Sequence, residues 1–356
     1  MITTSPLDRH RTPPRESWQQ EFADAVTDPA ELLALLELGT QWLAAAEAAA
    51  RLFPLRVTRS FIARMRRGDP EDPLLRQVLP LAEELHEAAG FGADPVDESR
   101  YGRAPGLLQK YAGRALLVTT GACALHCRYC FRREFPYDGQ QGETGRWSDA
   151  VTTIAADPRI SELILSGGDP LSLSNARLRA LSQALEPIGH LQSLRIHTRN
   201  AVVLPARIDD GLLDWLRSLP WRTTVVLHVN HANELQADAL EALARLRHSG
   251  VLLLNQTVLL RGINDSVETL AELSRRLHRH GVLPYYLHLL DRVRGSMHWE
   301  VPEHEGVTLI DGLARVLPGY LVPRLVREIP GADAKTVIAA GLGHPGPPVG
   351  RDVGRP

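Results

Sequence analysis

Residues 115–137 read ALLVTTGACALHCRYCFRREFPY, an apolar run from Ala115 to Thr120 followed at once by Cys123, Cys127 and Cys130. The run is short, apolar and closed by glycine, as expected for a buried strand, which places the cysteines on the loop at its carboxyl end. They are the only cysteines in 356 residues, and their spacing, Cys-x3-Cys-x2-Cys, points to sulfur chemistry rather than packing. Three thiolates hold three irons of a four-iron cluster and leave the fourth iron open to another ligand. Two other readings compete. Structural zinc wants four ligands, and His126, wedged beside Cys127, would strain a tetrahedral site. Three buried structural cysteines are the bland alternative. Disulfides are disfavoured by the odd count and by an N-terminus, MITTSPLDRHRTPPRESW, that is polar and arginine-rich with no apolar signal region, so a reducing cytoplasmic setting is expected.

Composition narrows the partners. The balance of 40 basic and 42 acidic residues, net charge -2, offers no polyanion-binding surface, and no apolar run is long enough to span a membrane, so neither nucleic acid nor membrane is expected. With 44% hydrophobic residues the chain can bury one large domain with an appended piece. Only Lys110 and Lys335 among the basic residues are lysines. A lysine kept where arginine serves elsewhere suggests amine chemistry, since arginine does not deprotonate to become a nucleophile; genomic base composition, or chance in sparing either lysine, is the alternative reading.

Outward from the cysteine loop, apolar runs recur at Leu163 to Ser166, Leu194 to His197, Thr223 to Val229, Val251 to Val258 and Leu283 to His288. Between them Leu178 to Leu185, Leu212 to Leu219 and Ala237 to Leu246 carry apolar residues at helical spacing. This alternation predicts six parallel strands with crossover helices, an α/β fold. Nearly every run ends in polar residues, as barrel enzymes arrange their carboxyl strand ends, although a doubly wound sheet shares the alternation. The expected organisation is a mostly helical region over 1–110, a barrel over 111–295, a segment over 296–340 carrying Lys335, and a glycine- and proline-rich mobile tail over 341–356. Asp28-Pro29 should start one helix, and another should run from the Asp72-Pro73 break through Glu84.

The cysteine motif with an aromatic before its last cysteine resembles that of the radical S-adenosylmethionine (SAM) enzymes. Together CRYCFRREFPY, SGGDPL at 166–171, HVNHANEL at 228–235 and NQTVLLRGIND at 255–265 resemble the lysine 2,3-aminomutase family over most of the chain. The resemblance implies a partial (β/α)6 TIM-like barrel open on one side, a 4Fe-4S cluster on Cys123, Cys127 and Cys130, and SAM chelated to the fourth iron. Tyr129, Gly167, Gly168, Asp169, His228 and Gln256 then fall at SAM-contacting positions, the glycines letting backbone approach the ligand. Taken alone, Gly-Gly-Asp is an ordinary turn and His228 or Gln256 an ordinary hydrogen-bonded barrel residue. Lys335, in IPGADAKT, matches the family lysine that binds pyridoxal 5'-phosphate (PLP), with one glycine where the family often has several. Lys110 then reads as a surface residue. Arg114 matches an arginine near the PLP phosphate, or caps the barrel rim.

By the same resemblance Arg132 clamps the substrate carboxylate, Arg133 is a solvated neighbour, and Asp291 and Glu328 flank the far amine of L-lysine. Glu328 stands where the family usually has aspartate and His288 where lysine-degrading members have tyrosine. These departures make the chain look like the bacterial branch that prepares β-lysine for elongation factor P, where a separate ligase attaches it. An electron donor is implied as a partner. The rival readings are a sister aminomutase on another amino acid, a radical SAM enzyme without PLP, and a non-enzymatic iron-sulfur sensor or electron carrier.

Overall fold

The computed structural model describes residues 17–137 and 147–338; the opening polar stretch up to residue 16 and the tail over 341–356 lie outside the described residues. Ten strands form one sheet in chain order: β1 Gly102–Ala104, β2 Leu107–Leu108, β3 Arg114–Thr120, β4 Glu162–Gly167, β5 Ser193–Thr198, β6 Arg222–His228, β7 Leu252–Val258, β8 Leu283–His288, β9 Arg324–Arg327 and β10 Thr336–Val337. Strands β3 to β9 are parallel to their neighbours. The six expected strands are β3 to β8, and β9 adds a seventh. Its RLVR sequence is short and half charged, and it was not counted among the strands. Antiparallel β2 and β10 pair onto the two ends of the parallel run. Among the described residues β1 and β10 do not pair, so the barrel is open.

Period-two alternation divides the strand side chains between two surroundings. Leu163, Leu165, Leu194, Ile196, Val225 and Leu227 face the crossover helices. The helix Asn175–Leu185 meets them with Leu178, Leu181 and Leu185, and Ala237–His248 with Ala239, Ala242, Leu243 and Leu246. Each such leucine contributes roughly 1.5–3 kcal/mol on burial. The intervening residues Ser166, His197, His228, Gln256 and His288 line a cavity inside the barrel.

The N-terminal helices Trp18–Ala23, Pro29–Leu35, Leu43–Leu52 and Arg59–Ile62 build a second core. Asp28 caps the second of these by accepting from the Ala30 backbone N–H at 2.9 Å, as its Asp-Pro start predicts. The expected helix through Glu84 does not form. Two short 3-10 turns, Leu75–Gln77 and Ala82–Leu85, flank Pro80, which has no N–H to carry a helix across. This second core includes Ala124 and Leu125, so the helical region packs directly under the cysteine loop.

Candidate active site

The cysteine loop is fixed by the exit of β4. Gly168 N donates to Thr120 O at 2.7 Å and Asp169 N to Ala122 O at 2.9 Å. A Cβ on Gly168 would lie 2.5 Å from Ala122 O and 2.7 Å from Gly121 C, and one on Gly167, whose φ is +121°, would lie 2.5 Å from Thr120 O. Both glycines line the cavity, but what their missing side chains make room for is the backbone of the cysteine loop, not ligand alone. The Asp169 carboxylate is buried and occupied by Thr198 Oγ1 at 2.8 Å and by the backbone N–H groups of Leu171, Arg199 and Asn200. It ties the β4 exit to the β5 exit.

Beneath the loop Arg128 and Arg133 both reach Glu84, Arg128 Nη2 at 2.8 Å and Arg133 Nη2 at 3.0 Å. The expectation of a solvated Arg133 is therefore wrong: its side chain is 3% exposed and pairs with a fully buried carboxylate. His126 Nδ1 donates to Pro54 O at 2.9 Å, and its ring stacks on Phe53. That position holds it against the N-terminal region.

All three cysteines line the same cavity as Lys335, whose volume of about 390 Å³ suits small organic ligands. Around Cys127 lies a buried polar network. Tyr129 stacks on His228, with ring centroids 5.8 Å apart, and its hydroxyl lies 3.1 Å from His228 Nε2 and accepts from Asn230 Nδ2 at 2.6 Å. His228 is paired in register with Gln256 across β6 and β7. Burial, followed by the Arg199 charge, pushes His228 down to about 3, so it is a neutral imidazole.

On another wall Arg132 is already engaged. Nε and Nη2 form a two-point pair with Glu98 at 2.7 and 2.5 Å, while Nη1 donates to Ser166 Oγ at 2.9 Å and Gly167 O at 3.2 Å. A carboxylate thus sits on the fork that was expected to take the substrate's own.

Glu328 is equally committed. It accepts from Lys110 Nζ at 2.6 Å, from Lys335 Nζ at 2.7 Å and from the Tyr111 hydroxyl. Burial pushes its carboxyl up, but Lys335, Lys110 and Tyr111 together outweigh burial and leave it below its ordinary value. Lys110 is not the surface residue expected: it is 13% exposed and joins the cavity wall. Arg114 lies over the Tyr111 ring at 4.6 Å and lines the cavity beside it. Asp291 is half-buried in the cavity wall, and Lys335 and Lys110 act on it through their charge. Burial first, and the Glu328 charge next in that direction, push it up to about 7, against an opposing pull from Lys335.

Four residues of this site escaped the sequence reading: Glu98, Lys110, Arg199 and His197. Arg199 and His197 were visible as part of the polar end of β5, and Lys110 as one of two lysines. Nothing local marks Glu98.

An open parallel barrel whose first parallel strand delivers Cys-x3-Cys-x2-Cys into its cavity defines a radical SAM enzyme, and the model of the Radical SAM superfamily matches residues 117–274. Three similar proteins are described as L-lysine 2,3-aminomutase. That of Escherichia coli (strain K12) is 48% identical over 326 residues, 91% of this chain and 95% of that one. That of Haemophilus influenzae is 43% identical over 91% of this chain and 96% of that one, and that of Clostridium subterminale 36% over 80% and 68%. The chain belongs to the lysine 2,3-aminomutase family.

Membership makes it an isomerase that uses a 4Fe-4S cluster, SAM and PLP. The cavity fits these groups. Among the described residues no three histidine, cysteine or carboxylate side chains converge on a single metal ion. A cluster asks for something else, because each thiolate meets its own iron. Lys335 brings an amine into the same cavity. Near it, His197 Nε2 and His288 Nε2 are buried atoms with no protein partner, a cost of about 1–3 kcal/mol each that a polar ligand would relieve.

Proposed function

We propose that this chain converts L-lysine to β-lysine by moving the α-amino group to the neighbouring carbon. The observation that carries the reading is a single cavity lined by Cys123, Cys127 and Cys130, by Lys335, and by the two acids Asp291 and Glu328. When bound, the cluster and SAM supply a deoxyadenosyl radical, and PLP supplies a ring that spreads the unpaired electron while nitrogen migrates.

The chain's own residues bind and orient. Cys123, Cys127 and Cys130 hold the cluster. The β4 exit at Gly167, Gly168 and Asp169, with Tyr129, His228 and Gln256, forms the wall against SAM. Lys335 receives PLP, and Arg114 faces its phosphate. Glu328, 2.7 Å from Lys335 Nζ, would hold and orient that amine in the cavity. Arg132 binds the α-carboxylate of lysine in the place Glu98 holds in the free enzyme. Asp291 meets the ε-ammonium: bringing a cation to a carboxyl raised to about 7 favours its charged form, so lysine binding strengthens as pH rises through that value. Two acids at this pole also disfavour glutamate, whose side-chain carboxylate they repel. Fixing both ends of lysine presents one β-hydrogen to the radical.

The product is proposed to serve modification of elongation factor P through a separate ligase, in the cytoplasm and with a low-potential protein as electron donor. Glu328 in place of aspartate and His288 in place of tyrosine support this branch. Among the described residues no helix is long and apolar enough to cross a membrane. Anaerobic incubation with lysine, SAM and reductant, followed by product analysis, tests the reaction: β-lysine is expected, and lysine recovered unchanged while another amino acid is isomerised contradicts it. Loss of a β-lysyl mass from elongation factor P on deleting the gene tests the destination; an unaltered mass removes it.

A further inference from the structure

Arg199 follows β5 and caps the helix Asn200–Val203. Its guanidinium is buried among fixed groups. Nη1 donates to Cys127 Sγ and to the Tyr129 hydroxyl, both at 2.8 Å, and Nη2 donates to Gln77 Oε1 at 2.6 Å and to Glu234 Oε2 at 3.0 Å. Its own backbone N–H is held by Asp169 at 2.7 Å, and its carbon lies 5.5 Å from the Phe61 ring centre. Glu234 is fully buried and is itself oriented by the backbone N–H groups of Asn230 and His231 at 2.9 and 3.0 Å. Among the described residues no other arginine or lysine donates to a cysteine sulfur, and Arg128 and Arg133 turn instead to Glu84.

We propose that Arg199 is a positioning residue that sets the reduction potential of the cluster through the Cys127 sulfur. The inference rests on the assignment of the cluster to the three cysteines. A hydrogen bond to a ligating sulfur draws electron density from the iron and favours the reduced state. Here the donor also carries full charge in a dry setting, where its field is weakly screened. Glu234, on the other edge of the same guanidinium, partly cancels that charge. The Arg199–Glu234 pair therefore works as a balance: the arginine raises the potential and the glutamate limits the rise. An enzyme that must pass one electron from the cluster to SAM needs the cluster reducible by its donor yet still strongly reducing, and the two opposed charges bracket that condition.

The test is an electron-spin-resonance redox titration of the anaerobically reconstituted full chain without SAM, with iron content measured alongside. In Arg199→Lys the single ammonium stays with the buried Glu234 and leaves the sulfur, since lysine lacks the fork that reaches both. Its midpoint is expected to be more negative than the parent's at equal iron content. Glu234→Gln keeps an acceptor for Asn230 and His231 but removes the opposing charge, so its midpoint is expected to be less negative. Parent-like midpoints in both variants overturn the proposal, as does weakened SAM binding with an unmoved potential, which would make Arg199 a SAM ligand. Should Arg199→Lys fail to hold iron, Glu234→Gln decides alone, and an unchanged or more negative midpoint there overturns the idea. Failure of the cluster assignment shows separately, as full iron content in Cys127→Ala.

Discussion

Asp291 and Glu328 are both acids beside Lys335, yet their surroundings drive them apart. Glu328 is held by two ammonium groups and a hydroxyl, while Asp291 has burial working against its charge. A carboxyl raised from 3.8 to about 7 binds its proton more tightly folded than unfolded. Its cost to stability is therefore absent below about pH 4, grows as pH rises toward 7 and is complete above that. Asp291→Asn removes this cost, so the variant should be more stable than the parent at pH 8, by about 2–4 kcal/mol, with the gap closing toward pH 4. Calorimetry across that range checks it, and an equal gap at both ends denies the raised value. The same variant should bind lysine more weakly. Lys110→Met should leave Lys335 as the one cation hydrogen-bonded to Glu328, with the Tyr111 hydroxyl beside it, and slow PLP capture, read from the rate of its absorbance change; a parent-like rate would return Lys110 to a bystander's role. Residue chemistry was legible where it is intrinsic, as in three clustered cysteines or a scarce lysine. Pairing was not, because Lys110 and Glu328 stand 218 positions apart and Arg132 and Glu98 meet only after folding.

Elements were read well where apolar residues recur on the strand face that packs against the helices. Strands β4 to β8 are of this kind: Leu163, Leu165, Leu194, Ile196, Val225, Leu227 and Leu253 share one core and Leu287 lies in another. The turns from Leu75 to Leu85 and the short strands β1, β2, β9 and β10 were not, since two to four residues carry no period. These small pieces matter for the site. The turn Ala82–Leu85 presents Glu84 to Arg128 and Arg133 on either side of Cys130. Glu84→Ala leaves two buried guanidinium groups without their counter-ion and should cost about 3–5 kcal/mol. Denaturant unfolding measures it, and a loss under about 1 kcal/mol would mean that the pair is solvated in solution. At the β4 exit, Gly168→Ala forces a methyl group against Ala122 O and should displace the cysteine loop. Lower iron content after reconstitution is the expected reading, and full content would show that the loop yields without loss.

At the scale of the molecule, one sheet runs from β1 to β10 and joins the cysteine-bearing strand to the strand that precedes Lys335. The barrel was legible as a repeat of strand and helix; that the three cysteines and Lys335 line one cavity was not, because Cys130 and Lys335 lie 205 positions apart. That shared cavity is the central claim, and it requires hydrogen to pass between SAM and a substrate held at Lys335. Lysine deuterated at its β-carbon, incubated with SAM and reductant, tests it by mass analysis of the 5'-deoxyadenosine. Deuterium should appear there with the parent enzyme and be absent with Lys335→Ala of full iron content. Deoxyadenosine free of deuterium from the parent, or label persisting without Lys335, would contradict the account.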